Sequence, residues 1–220
     1  MQIDGLTLFH GFYDEAVQHH LVEVLRKHIT DNPLYTPVMP RTGKPMSVRM
    51  TNVGLLGWVA DRQGYRYQPF HPVTGKPWSQ IPAILEELWQ KVSCYQYPPE
   101  ACLVNFYAAG ARMGLHQDAD EHDFNAPVVS VSLGDTAVFR IGGVNRTDPT
   151  SSFKLRSGDV MVMGGAARMR FHGIDRIIAG SSTLLKAGGR LNLTLRRVTV
   201  PTEENNQPLA TPTSAGRNIR

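Results

Sequence analysis

"GGRLNLTLRRV", Gly188 to Val198, alternates between apolar and polar residues from Arg190 to Arg196 without a break. In an extended chain successive side chains go to opposite faces, so Leu191, Leu193 and Leu195 share one face and Arg190, Asn192, Thr194 and Arg196 share the other. If the leucines pack under helices, the polar face points into the interior of a barrel, where two arginines need anionic partners. A dicarboxylate would satisfy both. An exposed edge strand with scattered charges is the other reading, although neither face looks half-solvated.

Upstream of this strand the chain reads as β from about Tyr97. The runs "ACLVNFY" (101–107), "PVVSVSLG" (127–134), "TAVFRIGG" (136–143), "DVMVMGG" (159–165) and "RMRFHGI" (168–174) are short and separated by Gly, Asp or Pro turns. Before them lie two helical patterns. Tyr13 to Ile29 places Leu21, Val22, Leu25 and Ile29 on one face. Ser79 reads as the cap of a second helix running through "QIPAILEELWQKV", with Pro82 in its first turn and Ile84, Leu85, Leu88 and Val92 buried. Helices first and antiparallel strands afterwards predict an α+β chain with a sandwich or jelly-roll core. With 41% hydrophobic residues in 220, one domain over residues 1–200 is expected, its β core at about 97–198. The stretch 201–220 has three prolines and no aromatic residue, and is expected to be a disordered tail.

The net charge of +4 is a weak pointer to any partner, but its distribution is informative. From Arg41 to Trp78 the cations Arg41, Lys44, Arg49, Arg62, Arg66 and Lys76 face the single acid Asp61, interleaved with Trp58, Tyr65, Tyr67, Phe70 and Trp78. The run has little helical or strand periodicity. Cations for phosphates and flat rings for bases suit a binder of single-stranded or flipped-out nucleotides, and the same composition also describes a solvated loop with its rings tucked inward. The two cysteines, Cys94 and Cys102, form no CxxC pair and read as buried thiols. No apolar run approaches the roughly 20 residues of a membrane helix, and the first residues lack the order of a signal peptide. A cytoplasmic monomer is expected.

The stretch "GARMGLHQDADEHD" (110–123) holds the chemistry. His116 and Asp118 are one residue apart, so in an extended chain their side chains converge. A third donor must come from elsewhere. His172 in "RMRFHGI" is the candidate, with His122 able in principle to replace one of the three. His10, His19, His20 and His28 read as surface residues. Two histidines and one carboxylate on one face of a metal form the facial triad of non-haem Fe(II) oxygenases, which leaves positions open for cosubstrate and oxygen. Asn105 and Tyr107 are spaced to donate to a bound carboxylate, and Arg190, in the strand after His172, suits a cosubstrate that chelates iron at one end and meets a guanidinium at the other. That describes 2-oxoglutarate.

"CLVNFYAAGARMGLHQDADE", "VSVSLG", "FHGI" and "RLNLTLR" together resemble the AlkB family of Fe(II)- and 2-oxoglutarate-dependent nucleic-acid dealkylases, and "MTNVGLLGWVADRQGYRYQP" is similar to the nucleotide-recognition lid of its bacterial members. The similarity runs from about Leu8 to Val198. It implies a double-stranded β-helix core with the lid at about 41–78. His116, Asp118 and His172 would hold iron, and Asn105, Tyr107, Arg190, Asn192 and Arg196 would surround 2-oxoglutarate. Arg190 would sit at the distal carboxylate and Arg196 near the metal. Trp58 would stack on the damaged base, Tyr65, Arg66 and Tyr67 would follow the nucleotide, and Asp120 and Arg146 would line the substrate side. Two departures stand out: Met163 where the family has tryptophan, and Ala119 where it has lysine. They bear on substrate preference.

The activity so implied is oxidative removal of N-alkyl groups, as in 1-methyladenine and 3-methylcytosine of DNA and RNA, coupled to conversion of 2-oxoglutarate and O2 to succinate and carbon dioxide with release of formaldehyde. A 2-oxoglutarate oxygenase acting on protein or a small molecule would share the barrel without needing the cationic aromatic lid. A non-catalytic lesion-binding module would have no use for the complete ligand set.

Overall fold

The computed structural model describes residues 3–202. In chain order its elements are β1 (Leu6–Phe9), α1 (Glu15–Asp31), β2 (Arg49–Gly54), β3 (Gly57–Asp61), β4 (Gly64–Gln68), α2 (Ala83–Val92), β5 (Ala101–Tyr107), β6 (Met113–His116), β7 (Val128–Gly134), β8 (Thr136–Ile141), β9 (Ser151–Leu155), β10 (Val160–Met163), β11 (His172–Ile178) and β12 (Arg190–Arg196). Two antiparallel sheets form the core, one in the order β1-β10-β7-β12-β5-β2 and one in the order β6-β11-β8-β9. The β3–β4 hairpin stands apart from both. This is the α+β jelly-roll expected from the sequence.

Alternation along four strands of the larger sheet divides outside from inside. Val104 of β5, Val129, Val131 and Leu133 of β7, Val160 and Val162 of β10, and Leu191, Leu193 and Leu195 of β12 pack with Leu21, Leu25, Leu85, Leu88 and Trp89 of the two helices. The other face of the same strands carries Asn105, Tyr107, Ser130, Met161, Met163, Arg190, Asn192, Thr194 and Arg196, all lining a cavity between the sheets. The leucine face of β12 therefore lies under the helices and the polar face points inward.

Several details depart from the sequence reading. The second helix starts at Ala83, with Pro82 in the cap position and no side-chain cap bond. Ser79 is unavailable as a cap because its carbonyl accepts from Gly54 N at 2.7 Å and its hydroxyl oxygen accepts from Asn32 Nδ2 at 3.3 Å, which ties it to β2. The helix buries Trp89 completely, while Ile84 and Val92 are only partly buried. The segment 41–78, which has no clear periodicity, contains β2, β3 and β4. Its hairpin root requires a glycine: a Cβ on Gly57 would lie 2.4 Å from Trp78 Cε2. Cys102 is buried, but Cys94 is exposed in the turn after α2. Residues 203–220 of the expected tail lie outside the described residues. Among the described residues no helix is long and apolar enough to cross a membrane.

Leu193 is fully buried at the centre of the sheet–helix interface. Leu193→Ala is expected to lower unfolding free energy by about 2 to 5 kcal/mol in urea titrations. Val144→Ala, at a position 56% exposed, should stay within about 0.5 kcal/mol of the parent.

Candidate active site

His116 ends β6 and His172 begins β11, and the register of these strands sets the two directly opposite each other. Their rings lie 4.5 Å apart. Asp118, just past β6, reaches between them, with Oδ1 3.7 Å from His116 Nε2 and Oδ2 3.8 Å from His172 Nε2. The three donor atoms fall within 4.8 Å of one another. Each ring meets a backbone carbonyl through Nδ1, His116 at Gly114 O (2.9 Å) and His172 at Arg170 O (3.0 Å), so an Nδ1–H bonded there leaves Nε2 as the free lone pair. Burial pushes the His172 imidazole down to about 4, against the pull of Asp118, so it is neutral at neutral pH. For Asp118 burial acts upward, but Arg196 foremost, then His172 and His116, hold its carboxyl well below the usual range. A carboxylate oxygen and two imidazole nitrogens form a hard-to-borderline donor set suited to Fe(II). His122 is exposed and outside this group.

The cavity beside the triad has a volume of about 640 Å³. On its inner wall Arg190 is 1% exposed and donates through Nη2 to Ser132 Oγ (2.9 Å), leaving Nε and Nη1 without a partner. Burial pulls this guanidinium down to about 10. The Tyr107 ring lies 5.5 Å below it. Asn105 Oδ1 is also unpartnered, on the neighbouring strand. A buried cation with two idle donors in a cavity is a site built for an anion, and a carboxylate of 2-oxoglutarate fits it. Asn192 lines the same wall, but its amide already donates to Ser130 Oγ (2.7 Å) and Val131 O (3.0 Å).

Arg196 corrects one expectation. Its anionic partners belong to the protein: Asp118 Oδ1 at 2.8 Å and Glu121 Oε1 at 2.8 Å. Glu121, which the sequence reading passed over, is 3% exposed and also pairs with Arg168 Nη2 at 3.0 Å. Burial pushes its carboxyl up, but Arg196 and the bonds around it outweigh that and hold it low. Arg168 in turn donates to the Asp118 carbonyl (2.6 Å) and the Ala126 carbonyl (3.0 Å). The sequence signal for Glu121 lies in "DADEHD", which holds four acids where a site of two histidines and one carboxylate takes only one.

The β3–β4 hairpin overhangs this cavity. Trp58 and Tyr65 line it and stack at 5.5 Å with 16° between their planes. The Trp58 indole N–H donates to Asp120 Oδ2 at 2.6 Å. Arg146 is also on the wall, its guanidinium 5.7 Å from the Phe171 ring. Arg66 and Tyr67 do not line the cavity. Alternation turns Arg66 away from Trp58, and it forms a two-pronged pair with Asp61 at 2.9 and 2.8 Å. Tyr67 goes under the hairpin, where its hydroxyl donates to Glu121 and accepts from Arg196 Nη1 at 3.0 Å.

The sequence matches the 2OG-Fe(II) oxygenase superfamily over residues 5–196. It is 53% identical over 195 residues to the alpha-ketoglutarate-dependent dioxygenase AlkB homolog of Caulobacter vibrioides (strain NA1000 / CB15N), a match covering 89% of this chain and 88% of that protein. A shorter match to the DNA N(6)-methyladenine demethylase ALKBH1A of Arabidopsis thaliana is 46% identical over 85 residues, 39% of this chain and 25% of that one. The solved structure of OsALKBH1 has a TM-score of 0.73 and 32% identity, covering 90% of this chain and 100% of that chain.

The geometry predicts that His172→Ala abolishes tight binding of one Fe(II), read by anaerobic calorimetry, while His122→Ala leaves it unchanged. The reverse pattern would discard the triad.

Proposed function

Because the chain belongs to the AlkB family of Fe(II)- and 2-oxoglutarate-dependent dioxygenases, we propose that it oxidatively removes alkyl groups from ring nitrogens of nucleic-acid bases, including 1-methyladenine and 3-methylcytosine in DNA and RNA. The observation that carries this reading is the placement of an aromatic pair, Trp58 and Tyr65, and the His116–Asp118–His172 triad on one cavity. A peptide or metabolite oxygenase would have no need of that pair. The reading extends to a cytoplasmic monomer.

Fe(II) with 2-oxoglutarate and O2 supplies the oxidising chemistry: the keto acid is decarboxylated to succinate, one oxygen atom is inserted at the N-alkyl carbon, and the N-hydroxyalkyl base falls apart to the free base and an aldehyde. The protein's own part is positioning and exclusion of water. His116, Asp118 and His172 hold the metal, and Arg196 keeps Asp118 ionised and oriented. Arg190 receives the far carboxylate of 2-oxoglutarate, flanked by Asn105, Tyr107 and Asn192. Trp58 offers a face to the base. With Tyr65 stacked against it and Asp120 on its N–H, the indole cannot swing freely. Arg146 stands on the same wall for the nucleotide's charge. A base in a duplex reaches this cavity only by extrusion from the stack.

The test is succinate release measured in parallel with methylated single-stranded DNA, duplex DNA, RNA and a methylated peptide. Turnover coupled to the nucleic acids supports the assignment, and turnover with the peptide alone overturns it.

Arg190→Lys is expected to raise the apparent 2-oxoglutarate requirement at least tenfold with iron binding intact, because a lysine offers a point charge and no planar fork. An unchanged requirement in steady-state titrations would remove Arg190 from the cosubstrate site. A further expectation concerns charge. 1-Methyladenine and 3-methylcytosine are cationic near neutral pH, and a cation over an indole gains roughly 0.5 to 2 kcal/mol that a neutral base lacks. Trp58→Ala and Asp120→Ala should therefore lose more activity on these lesions than on neutral 1-methylguanine. Equal proportional losses would show that neither residue reads charge.

A further inference from the structure

Glu121 is a buried acid that the reaction itself does not use, and it joins two parts of the site. One oxygen accepts from the Tyr67 hydroxyl of the hairpin and from Arg196 Nη1 at 2.8 Å, and the other pairs with Arg168 at 3.0 Å. Arg196 reaches on to Asp118 at 2.8 Å. Asp118, Glu121, Arg168 and Arg196 are each at most 8% exposed, so two negative and two positive charges share one desolvated cluster and cancel. The segment that supplies Asp118 also holds the hairpin at two points, through Asp120 to Trp58 and through Glu121 to Tyr67.

Resting on the reading of His116, Asp118 and His172 as the metal ligands, we propose that Glu121 is a positioning residue with two separable roles: its charge keeps Arg196 from monopolising Asp118, so that a divalent cation can bind, and its bond to Tyr67 docks the hairpin over the cavity. Both follow from burial. With the Glu121 charge removed, two guanidiniums would face one carboxylate, Arg196 would draw fully on Asp118, and an incoming cation would meet a net positive cluster. With the Tyr67 hydroxyl removed, the charges stay balanced: the hairpin loses a tether and Arg196 Nη1 loses one neutral acceptor while keeping Glu121.

Two substitutions in the full-length chain separate the roles. Glu121→Gln deletes the charge and keeps an acceptor for Tyr67, whereas Tyr67→Phe keeps the charge and deletes the tether. Binding of Co(II), followed by its visible absorption without cosubstrate or nucleic acid, reads the first role. Backbone hydrogen exchange across residues 57–68 and the KM for a methylated oligonucleotide read the second. Glu121→Gln is expected to weaken Co(II) binding tenfold or more with hairpin exchange near that of the parent. Tyr67→Phe should bind Co(II) within twofold, exchange faster at 57–68, and raise KM severalfold with kcat little changed. Should Glu121→Gln fold poorly, the double variant Glu121→Gln with Arg168→Gln restores the charge balance and should bind Co(II) within threefold of the parent, a recovery that lost packing alone would not give.

Co(II) binding by Glu121→Gln within twofold of the parent, a double variant that binds no tighter than His172→Ala, or equal weakening by Tyr67→Phe and Glu121→Gln would each overturn the proposal. A parent Co(II) spectrum that His172→Ala leaves unchanged would instead remove the metal reading, and this proposal with it.

Discussion

A strand must send successive side chains to opposite faces, and in the larger sheet that constraint decides where every functional group of its inner wall lies. β12 pairs with β5 on one side and β7 on the other, which sets Arg190 between Tyr107 and Gly134, and Asn192 between Asn105 and Ser132. The polar residues of three strands thus form one continuous inner surface, backed by valines and leucines under α1 and α2. A slip of one residue in β12 would put leucines into the cavity and guanidiniums against Leu85 and Trp89. The apolar face makes that slip costly, so the packing under the helices is also what aims Arg190 and Arg196.

What could be read in advance was what depends on one segment at a time. The alternation of β12, the HxD spacing and the amphipathic face of α1 are local patterns, and each has its expected place in the fold. What could not be read depends on register between segments. His116 and His172 are far apart in the chain yet directly opposed across β6 and β11, a pairing that the spacing of residues does not encode. The hairpin was missed as strand for a related reason: Gly54, Gly57 and Gly64 break its periodicity, and the glycine at 57 is there because Trp78 fills the space of a Cβ. Ser79 looked like a cap because nothing in its neighbourhood reveals that β2 already occupies its carbonyl.

Buried charge separates the two arginines that looked equivalent in the sequence. Arg196 pairs with Asp118 and Glu121, so its charge is balanced within the protein and only its Nε meets no partner. Arg190 has a hydroxyl and an aromatic face for company, and two of its donors meet nothing. Desolvating a guanidinium without an anion is unfavourable by several kcal/mol, so the fold tolerates at Arg190 a cost that an anionic cosubstrate would relieve. Of all the groups on the wall, this one gives the strongest physical reason to expect a carboxylate there.

The four residues from Asp118 to Glu121 show how little chain is needed to link the hairpin to the histidine–aspartate cluster. Asp118 faces the histidines, Asp120 holds the indole of Trp58, and Glu121 lies beneath Tyr67. Arg168 fixes the start of the segment through the Asp118 carbonyl and its end through the Glu121 carboxylate. Only Ala119 among the four has no such partner, and it is exposed. An alanine there brings no charge to the rim and disturbs none of the buried contacts. Met163 is the opposite case: it is 2% exposed, lies in the strand beside Val128 and lines the cavity, so its flexible thioether reshapes the wall from within. Changes at the rim and in the wall thus reshape the cavity's lining while the triad and Arg190 keep their places.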